Sequence, residues 1–303
     1  RFIQGTQEEF ISFEMLWYKA RSYASYFQQQ GIQPGDYVPM ILPTCPEFAY
    51  CFYGLMACGA IPTALASPTF EDQKEGFNRL DKIGELLEIK HIVMNKTEFD
   101  LIGKYLKNYE PMLVEKIPDD QTPIENVHKA SPEDTVLVQA TSGSTGLPKA
   151  VPLTNRNLAA NIQQIADRVN ITSDDIIITW LPLYHDFGLI GNFLSTVYFK
   201  YNSVLQSPYE FLKRPITWLR AIEKYKATIT VSPNFALSYA VARINEEDRN
   251  SLDISSLKVA IVGSEPVNMK TLRSFADYFK TSGFNLNTFA IGYGGSEAGL
   301  LAT

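Results

Sequence analysis

The sequence predicts an α/β fold of two lobes, each a mostly parallel sheet of βαβ units covered by helices. Three observations carry this. Helix-like and strand-like patterns alternate along all 303 residues, as they do in βαβ units. Strand candidates such as Thr135–Ala140 (TVLVQA) and Ile176–Thr179 are nearly continuous apolar runs, expected where helices cover both faces of a sheet. Residues Pro118–Pro132, rich in Asp, Pro and polar side chains, interrupt the pattern and read as a linker. The expected lobes are therefore 1–130 and 131–303.

The elements follow in order. Apolar residues Phe13, Leu16, Trp17, Ala20, Tyr23, Ala24 and Phe27 fall on one face of a helix over Ser12–Gln30, ended at Gly31. Pro34-Gly35-Asp36 is a turn signal, and Tyr37–Leu42 reads as a strand. A helix over Pro46–Cys58 leads to a buried strand near Ala60–Ala64. Helix Phe77–Leu87, strand His91–Met94 and helix Glu98–Asn108 complete the first lobe. In the second lobe Thr135–Ala140 is followed by a strand after Lys149. Further strands are expected at Ile176–Thr179, Asn202–Gln206, Ala227–Val231, Lys258–Val262 and Thr288–Ile291. Helices are expected at Asn155–Val169, Phe211–Tyr225 and Asn268–Thr281.

Composition excludes several classes. With 45% hydrophobic and 20% charged residues, the chain is neither disordered nor fibrous. Its 27 basic and 33 acidic residues give a net charge of −6, which argues against non-specific nucleic-acid binding. The densest basic group, Lys213, Arg214, Arg220, Lys224 and Lys226, reads as a solvated face. Cys45, Cys51 and Cys58 form neither a disulfide framework nor a zinc motif; Cys51 and Cys58 read as small buried hydrophobes, and a reducing cytoplasm is expected. His91, His128 and His185 are too far apart for a local multi-histidine metal site. Residues 48–70 carry no charge over Phe48–Phe70, but Gly54, Gly59, Pro62 and Pro68 interrupt the run, so a helix and a strand, and no membrane span, are expected there.

The most informative segment is Thr141-Ser142-Gly143-Ser144-Thr145-Gly146-Leu147-Pro148-Lys149. Glycines let backbone N–H groups approach an anion, hydroxyls add donors, and Lys149 adds a cation. It is not a Walker loop: counted from Gly143, the second glycine falls on Pro148 and the final Ser/Thr on Ala150. By composition alone such a loop reads more often as a flexible connector than as a phosphate site. Three other segments follow strands: Trp180–Gly191 with His185, Val262–Val267, and Gly292–Ala298 with Glu297. Taken alone, His185 reads as a structural or surface histidine, Val262–Val267 as a strand-to-helix turn with Asn268 near the next N-cap, and Glu297 as a solvated carboxylate.

The run TSGSTGLPKAVPLTNRN resembles the phosphate-loop motif of the adenylate-forming superfamily of acyl-CoA synthetases, peptide-synthetase adenylation domains and luciferases. It departs from that pattern at Ala150, where the family usually has Gly, and at Asn155, where it often has His. LPLYHDFGLIG is similar to the family's aromatic-histidine motif in the form carried by fatty acyl-AMP ligases. Gly263-Ser264-Glu265-Pro266 resembles its adenine loop, and Tyr293-Gly294-Gly295-Ser296-Glu297 its YGxSE motif. Segments Ser207–Leu219, Ser232–Phe235 and Asp253–Ala260 also resemble fatty acyl-AMP ligases, so the likeness runs from about Ile11 to the end.

The resemblance implies the fold of the family's large N-terminal domain, with the C-terminal domain absent. It implies ATP and Mg2+ as cofactors, and attack of a fatty acid carboxylate on the α-phosphate of ATP with release of pyrophosphate. Thr141, Ser142, Gly143, Ser144, Thr145, Gly146 and Lys149 would hold phosphates. Gly263, Ser264, Glu265 and Pro266 would contact adenine, with Tyr293 and Gly294 beside it. Ser296 would meet a phosphate, Glu297 would bind Mg2+, and His185 would shape the carboxylate site. His185, Glu297 and Lys149 are the implied catalytic residues. Phe187, Asn234, Phe235 and Ala236 are candidates for the acyl pocket. The implied acceptor is an acyl carrier protein, with CoA as the alternative; a degenerate nucleotide-binding scaffold is the non-enzyme alternative. The family's ribose-binding Asp and lysine-bearing domain lie beyond the YGxSE motif, so this stretch alone is expected to adenylate weakly or not at all.

Overall fold

The computed structural model describes residues 1–68, 73–141 and 149–300. The chain opens on two short antiparallel strands, β1 (Phe2–Gln4) and β2 (Gln7–Glu9). It then divides into two units: Ile11–Ala159, and Arg1–Phe10 together with Ala160–Thr303.

The first unit begins with α1 (Phe13–Gln29), capped by Ser12, whose hydroxyl accepts the Met15 amide at 3.0 Å. Only its C-terminal half is buried, through Ala20, Ala24 and Phe27; Phe13 and Trp17 of the expected apolar face are exposed, with the Arg21 guanidinium 5.3 Å over the Trp17 ring. After β3 (Tyr37–Ile41), α2 (Pro46–Ala57) starts with proline at its first position, where no amide is needed. At Gly54 an added Cβ would stand 2.9 Å from Tyr23 Cβ and 3.0 Å from the Ala20 carbonyl. Glycine therefore sets the close approach of α1 and α2.

The unit continues through β4 (Ile61–Ala64), α3 (Gln73–Leu86), β5 (His91–Met94), α4 (Lys96–Ile102) and β6 (Glu110–Leu113). The four strands form a parallel sheet in the order β4-β3-β5-β6. Ile41, Leu80, Ile83, Ile92, Met94 and Ile102 form its core. Helix α4 stops well short of the expected Asn108, continuing only as a 3-10 turn, Gly103–Tyr105. A second, antiparallel sheet follows: β7 (Thr135–Thr141) pairs with β8 (Lys149–Thr154), Leu137 opposite Leu153 and Thr141 opposite Lys149.

The boundary expected at 130/131 is corrected to Ala159/Ala160. Residues Pro118–Pro132 are not a linker between the units. They dock back on the first one: the Ile124 amide donates to Arg21 O, the His128 amide to Ala57 O, and Gln121 to Ser25. Strand β7 packs against β4, which keeps the hairpin in the same unit. Helix α5 (Asn155–Val169) crosses the boundary.

The second unit runs β9 (Ile176–Thr179), α6 (Asp186–Gly188), a π-helical turn Leu189–Leu194 and α7 (Ser195–Phe199). It continues with β10 (Asn202–Gln206), α8 (Pro208–Lys213), α9 (Ile216–Tyr225), β11 (Ile229–Pro233) and α10 (Asn234–Arg243). It closes with α11 (Glu246–Asn250), β12 (Val259–Gly263), α12 (Met269–Tyr278) and β13 (Phe289–Ile291). The single helix expected over Phe211–Tyr225 is two, because Arg214 is extended before Pro215.

The sheet order is β13-β12-β11-β9-β10-β1-β2, and all its pairs except β1–β2 are parallel. Trp218, Phe211, Phe275 and Phe279 are fully buried around it, and the Trp218 indole donates to Thr230 Oγ1 at 2.9 Å. Asp175 ties the strand starts together: it accepts from Thr172, from Thr228 Oγ1 at 2.7 Å and from Lys258 Nζ at 3.0 Å. Arg220, Lys224 and Lys226 pair with Glu223, Glu8 and Asp253, as a solvated charged face does. No helix among the described residues is long and apolar enough to cross a membrane.

Candidate functional site

In the second unit the chain passes from β9 to β10 on one side, then returns across β9 to β11, β12 and β13 on the other. The sheet therefore has a switch point between β9 and β11. Ligands of open α/β sheets bind at such points, outside the carboxyl ends of the strands. The segments leaving those ends carry the sequence candidates: Trp180–His185 after β9, Asn234 and Phe235 at the start of α10 after β11, Ser264–Pro266 after β12, and Gly292–Glu297 after β13.

His185 precedes α6 and is half exposed. Its Nδ1 lies 2.8 Å from Asp186 Oδ1 and 3.3 Å from the Phe187 amide nitrogen. Asp186 is buried, at 7% exposure, and its Oδ2 accepts from Ser296 Oγ at 2.8 Å. Burial alone would raise this carboxyl; hydrogen bonds and charge from His185, with bonds from Ser296 and the Phe187 amide, hold it below the usual carboxylate range. Ser296, expected at a phosphate, thus turns inward to a carboxylate. Motif spacing does not tell which way a hydroxyl points, and Asp186 itself was not singled out from the sequence. Its signal was there: an acidic residue directly beside a loop histidine.

The loop after β12 turns sharply, with Ser264 at φ +66°. Ser264, Glu265 and Pro266 are exposed. The carboxylate Oε1 of Glu265 accepts the Phe235 amide at 2.6 Å, and Asn234 Oδ1 accepts the Asn268 amide at 3.0 Å. Pro233 has no side chain to cap α10, so Glu265 supplies the acceptor from a neighbouring loop. Asn268 caps α12 by accepting the Lys270 amide, as expected.

Of the acyl-pocket candidates only Phe235 presents a large surface, at 43% exposure, edge-on to buried Trp180. Phe187 and Ala236 are buried, and Asn234 is engaged with Asn268. Trp180 stacks on Phe211, with ring centres 3.7 Å apart.

Tyr293 is 73% exposed and is flanked by Gly292 and Gly294. Gly292 is fixed to β12: its amide donates to Val262 O at 2.9 Å, and an added Cβ on Gly263 would stand 2.7 Å from Gly292 O. Glu297 is exposed in the short turn Ser296–Ala298. The Ala298 carbonyl accepts from Asn161, and the Gly295 amide donates to Leu300 O. Among the described residues no three His, Cys, Asp or Glu side chains converge on a metal-sized site. A single exposed carboxylate suits Mg2+, which takes one or two carboxylates and completes its octahedron with phosphate oxygens and water.

In the first unit Thr141 ends β7 and Lys149 starts β8, directly opposite each other and with Lys149 exposed. Ser142, Gly143, Ser144, Thr145 and Gly146 lie outside the described residues.

Residues 2–303 match the AMP-binding enzyme family. All of the chain aligns, at 29% identity, with 52% of the medium-chain-fatty-acid–acyl-carrier-protein ligase JamA of Moorena producens. A crystal structure of a fatty acid AMP ligase from Legionella pneumophila is similar at a TM-score of 0.90 and 33% identity, over 99% of this chain and 52% of that one. A fatty acyl-adenylate ligase from L. pneumophila, solved with acyl adenylate and pyrophosphate, matches at a TM-score of 0.85 and 31% identity, over 96% and 51%. The chain spans about half the length of these relatives. Fold, motif placement and these matches agree: the chain belongs to the AMP-binding enzyme family.

Proposed function

We propose that the protein carrying this chain activates a fatty acid as its acyl-adenylate. A carboxylate oxygen attacks the α-phosphorus of ATP, the bond to the bridging oxygen breaks, and pyrophosphate leaves. One observation carries this reading: His185, the Gly263–Pro266 loop, Tyr293 and Glu297 all follow the carboxyl ends of parallel strands of one sheet, β9, β12 and β13. The relative solved with acyl adenylate and pyrophosphate supports it.

Both reactants are anions, so the protein's tasks are charge neutralisation and in-line positioning. Lys149 and the Thr141–Gly146 segment are assigned to the phosphates. Tyr293 offers a face for adenine; such stacking contributes about 1–3 kcal/mol per base in single-strand recognition. His185 faces the reacting carboxylate. Glu297 would hold Mg2+, which when bound offsets charge on phosphate oxygens. Phe235 is the acyl-pocket candidate with surface to offer. We assign the acceptor to an acyl carrier protein, as in the name of the Moorena relative, and the compartment to the cytoplasm, where unpaired Cys45, Cys51 and Cys58 stay reduced.

The test is isotope exchange between pyrophosphate and ATP in the intact protein. Exchange that depends on a fatty acid is expected. No exchange with any carboxylate would favour a nucleotide-binding scaffold. Product mass then separates carrier-bound acyl groups from acyl-CoA.

A further inference from the structure

We propose that Asp186 is a positioning residue: it holds the His185 imidazole in the Nδ1–H form and joins it, through Ser296, to the loop that carries Tyr293 and Glu297. The purpose assigned to His185 rests on the adenylation reading above; the geometry does not.

Nδ1 has one position for a proton and two neighbours, Asp186 Oδ1 at 2.8 Å and the Phe187 amide at 3.3 Å. It cannot donate to the first and accept from the second in one state. Two features decide for donation. The contact to the carboxylate is shorter. An unprotonated Nδ1 would set its lone pair against an oxygen of a buried charge, which is costly. Nε2 is then the ring's one open nitrogen, and in the neutral ring it accepts a hydrogen bond and cannot donate one.

The other oxygen extends the link. Oδ2 accepts from Ser296, buried, one residue before Glu297 and three after Tyr293. One carboxylate thus fixes the loops after β9 and β13 together. The same device, a buried carboxylate orienting a histidine, sets tautomer and orientation in hydrolase triads. Here the third member, Ser296, is buried and anchors a loop.

The test is long-range 1H–15N correlation on the intact protein with 15N-labelled histidine, at a pH where the ring is neutral. The His185 signals are assigned by their loss in His185→Gln. The wild type is expected to show Nδ1–H with unprotonated Nε2; the opposite tautomer overturns the proposal. In Asp186→Ala the remaining partner of Nδ1 is the Phe187 amide, so the ring is expected to switch to Nε2–H. Retention of Nδ1–H in a folded Asp186→Ala overturns it as well. If that variant fails to fold, the wild-type tautomer still decides. In fatty-acid-dependent pyrophosphate exchange, Asp186→Ala is expected to lower kcat on the order of 100-fold, with little change in KM for ATP. Unchanged kcat in a switched variant overturns the positioning role. No exchange in the wild type overturns the proposed function, whereas the tautomer decides the Asp186 link by itself.

Discussion

Gly263→Ala is expected to disturb the site through one backbone contact. The new Cβ would stand 2.7 Å from Gly292 O, and ordinary contact begins near 3.4 Å. The end of β13 must therefore move by about 0.7 Å, against neighbouring backbone that cannot swing aside as a side chain would. That displacement lengthens the 2.9 Å bond from the Gly292 amide to Val262 O beyond useful hydrogen-bond range. Overpacking of this kind costs about 1–3 kcal/mol, and Tyr293, the next residue, moves with it. Gly295→Ala is the matched control: its Cβ would meet only Glu297 Oε2 at 3.5 Å, and its φ of −179° is extended backbone that any residue adopts. The assay is urea unfolding of both variants, paired with fluorescence titration of ATP. Gly263→Ala should lose stability and bind ATP more weakly, while Gly295→Ala should unfold within about 0.5 kcal/mol of wild type. Equal stability of the two variants would refute the close-contact argument.

Other outcomes follow from the same geometry. Tyr293→Ala should weaken ATP binding by about 5- to 150-fold, the equivalent of 1–3 kcal/mol of stacking, with unfolding unchanged because the ring is exposed; calorimetric titration would show it. Glu265→Ala removes the acceptor at the start of α10 and should cost about 0.5–2 kcal/mol, read from urea midpoints. Asp175→Ala should cost about 1.5–3 kcal/mol at neutral pH, since it removes charge-assisted bonds from Thr228 and Lys258 at a buried carboxylate. Burial alone would raise the Asp175 carboxyl; those hydrogen bonds hold it below its ordinary value. Its contribution is therefore fully present above the usual carboxylate range and is lost as pH falls through the depressed value. The gap between wild type and Asp175→Ala should narrow as pH falls below the usual carboxylate range.

Much of the fold was legible because apolar runs bounded by turn residues mark strands. Strands β9 and β10 and helix α5 fall where their patterns predict. Strand β2 was not legible, since Gln7-Glu8-Glu9 is wholly polar and held by pairing with β1. Nor was β6, where Pro111 argues against a strand; as an edge strand it tolerates the missing amide. The linker was misread because polar composition marks coil, not separation: the backbone of Ile124 and His128 bonds back to the first unit. At the site, the loops were legible as motifs after strands, but side-chain direction was not. Ser296 faces Asp186, Glu265 caps a helix that begins after proline, and Phe187 and Ala236 are core. Each depends on a neighbour that is distant in sequence.

The central claim, that these loops serve attack of a carboxylate on the α-phosphate, is tested most directly by oxygen transfer. The intact protein is given ATP and a fatty acid labelled with 18O in both carboxylate oxygens, and the adenylate is trapped with hydroxylamine. Cleavage of the acyl-adenylate leaves the bridging oxygen on phosphorus, so the released AMP should carry one 18O and the hydroxamate the other. Unlabelled AMP, or ADP as the nucleotide product, would contradict the account.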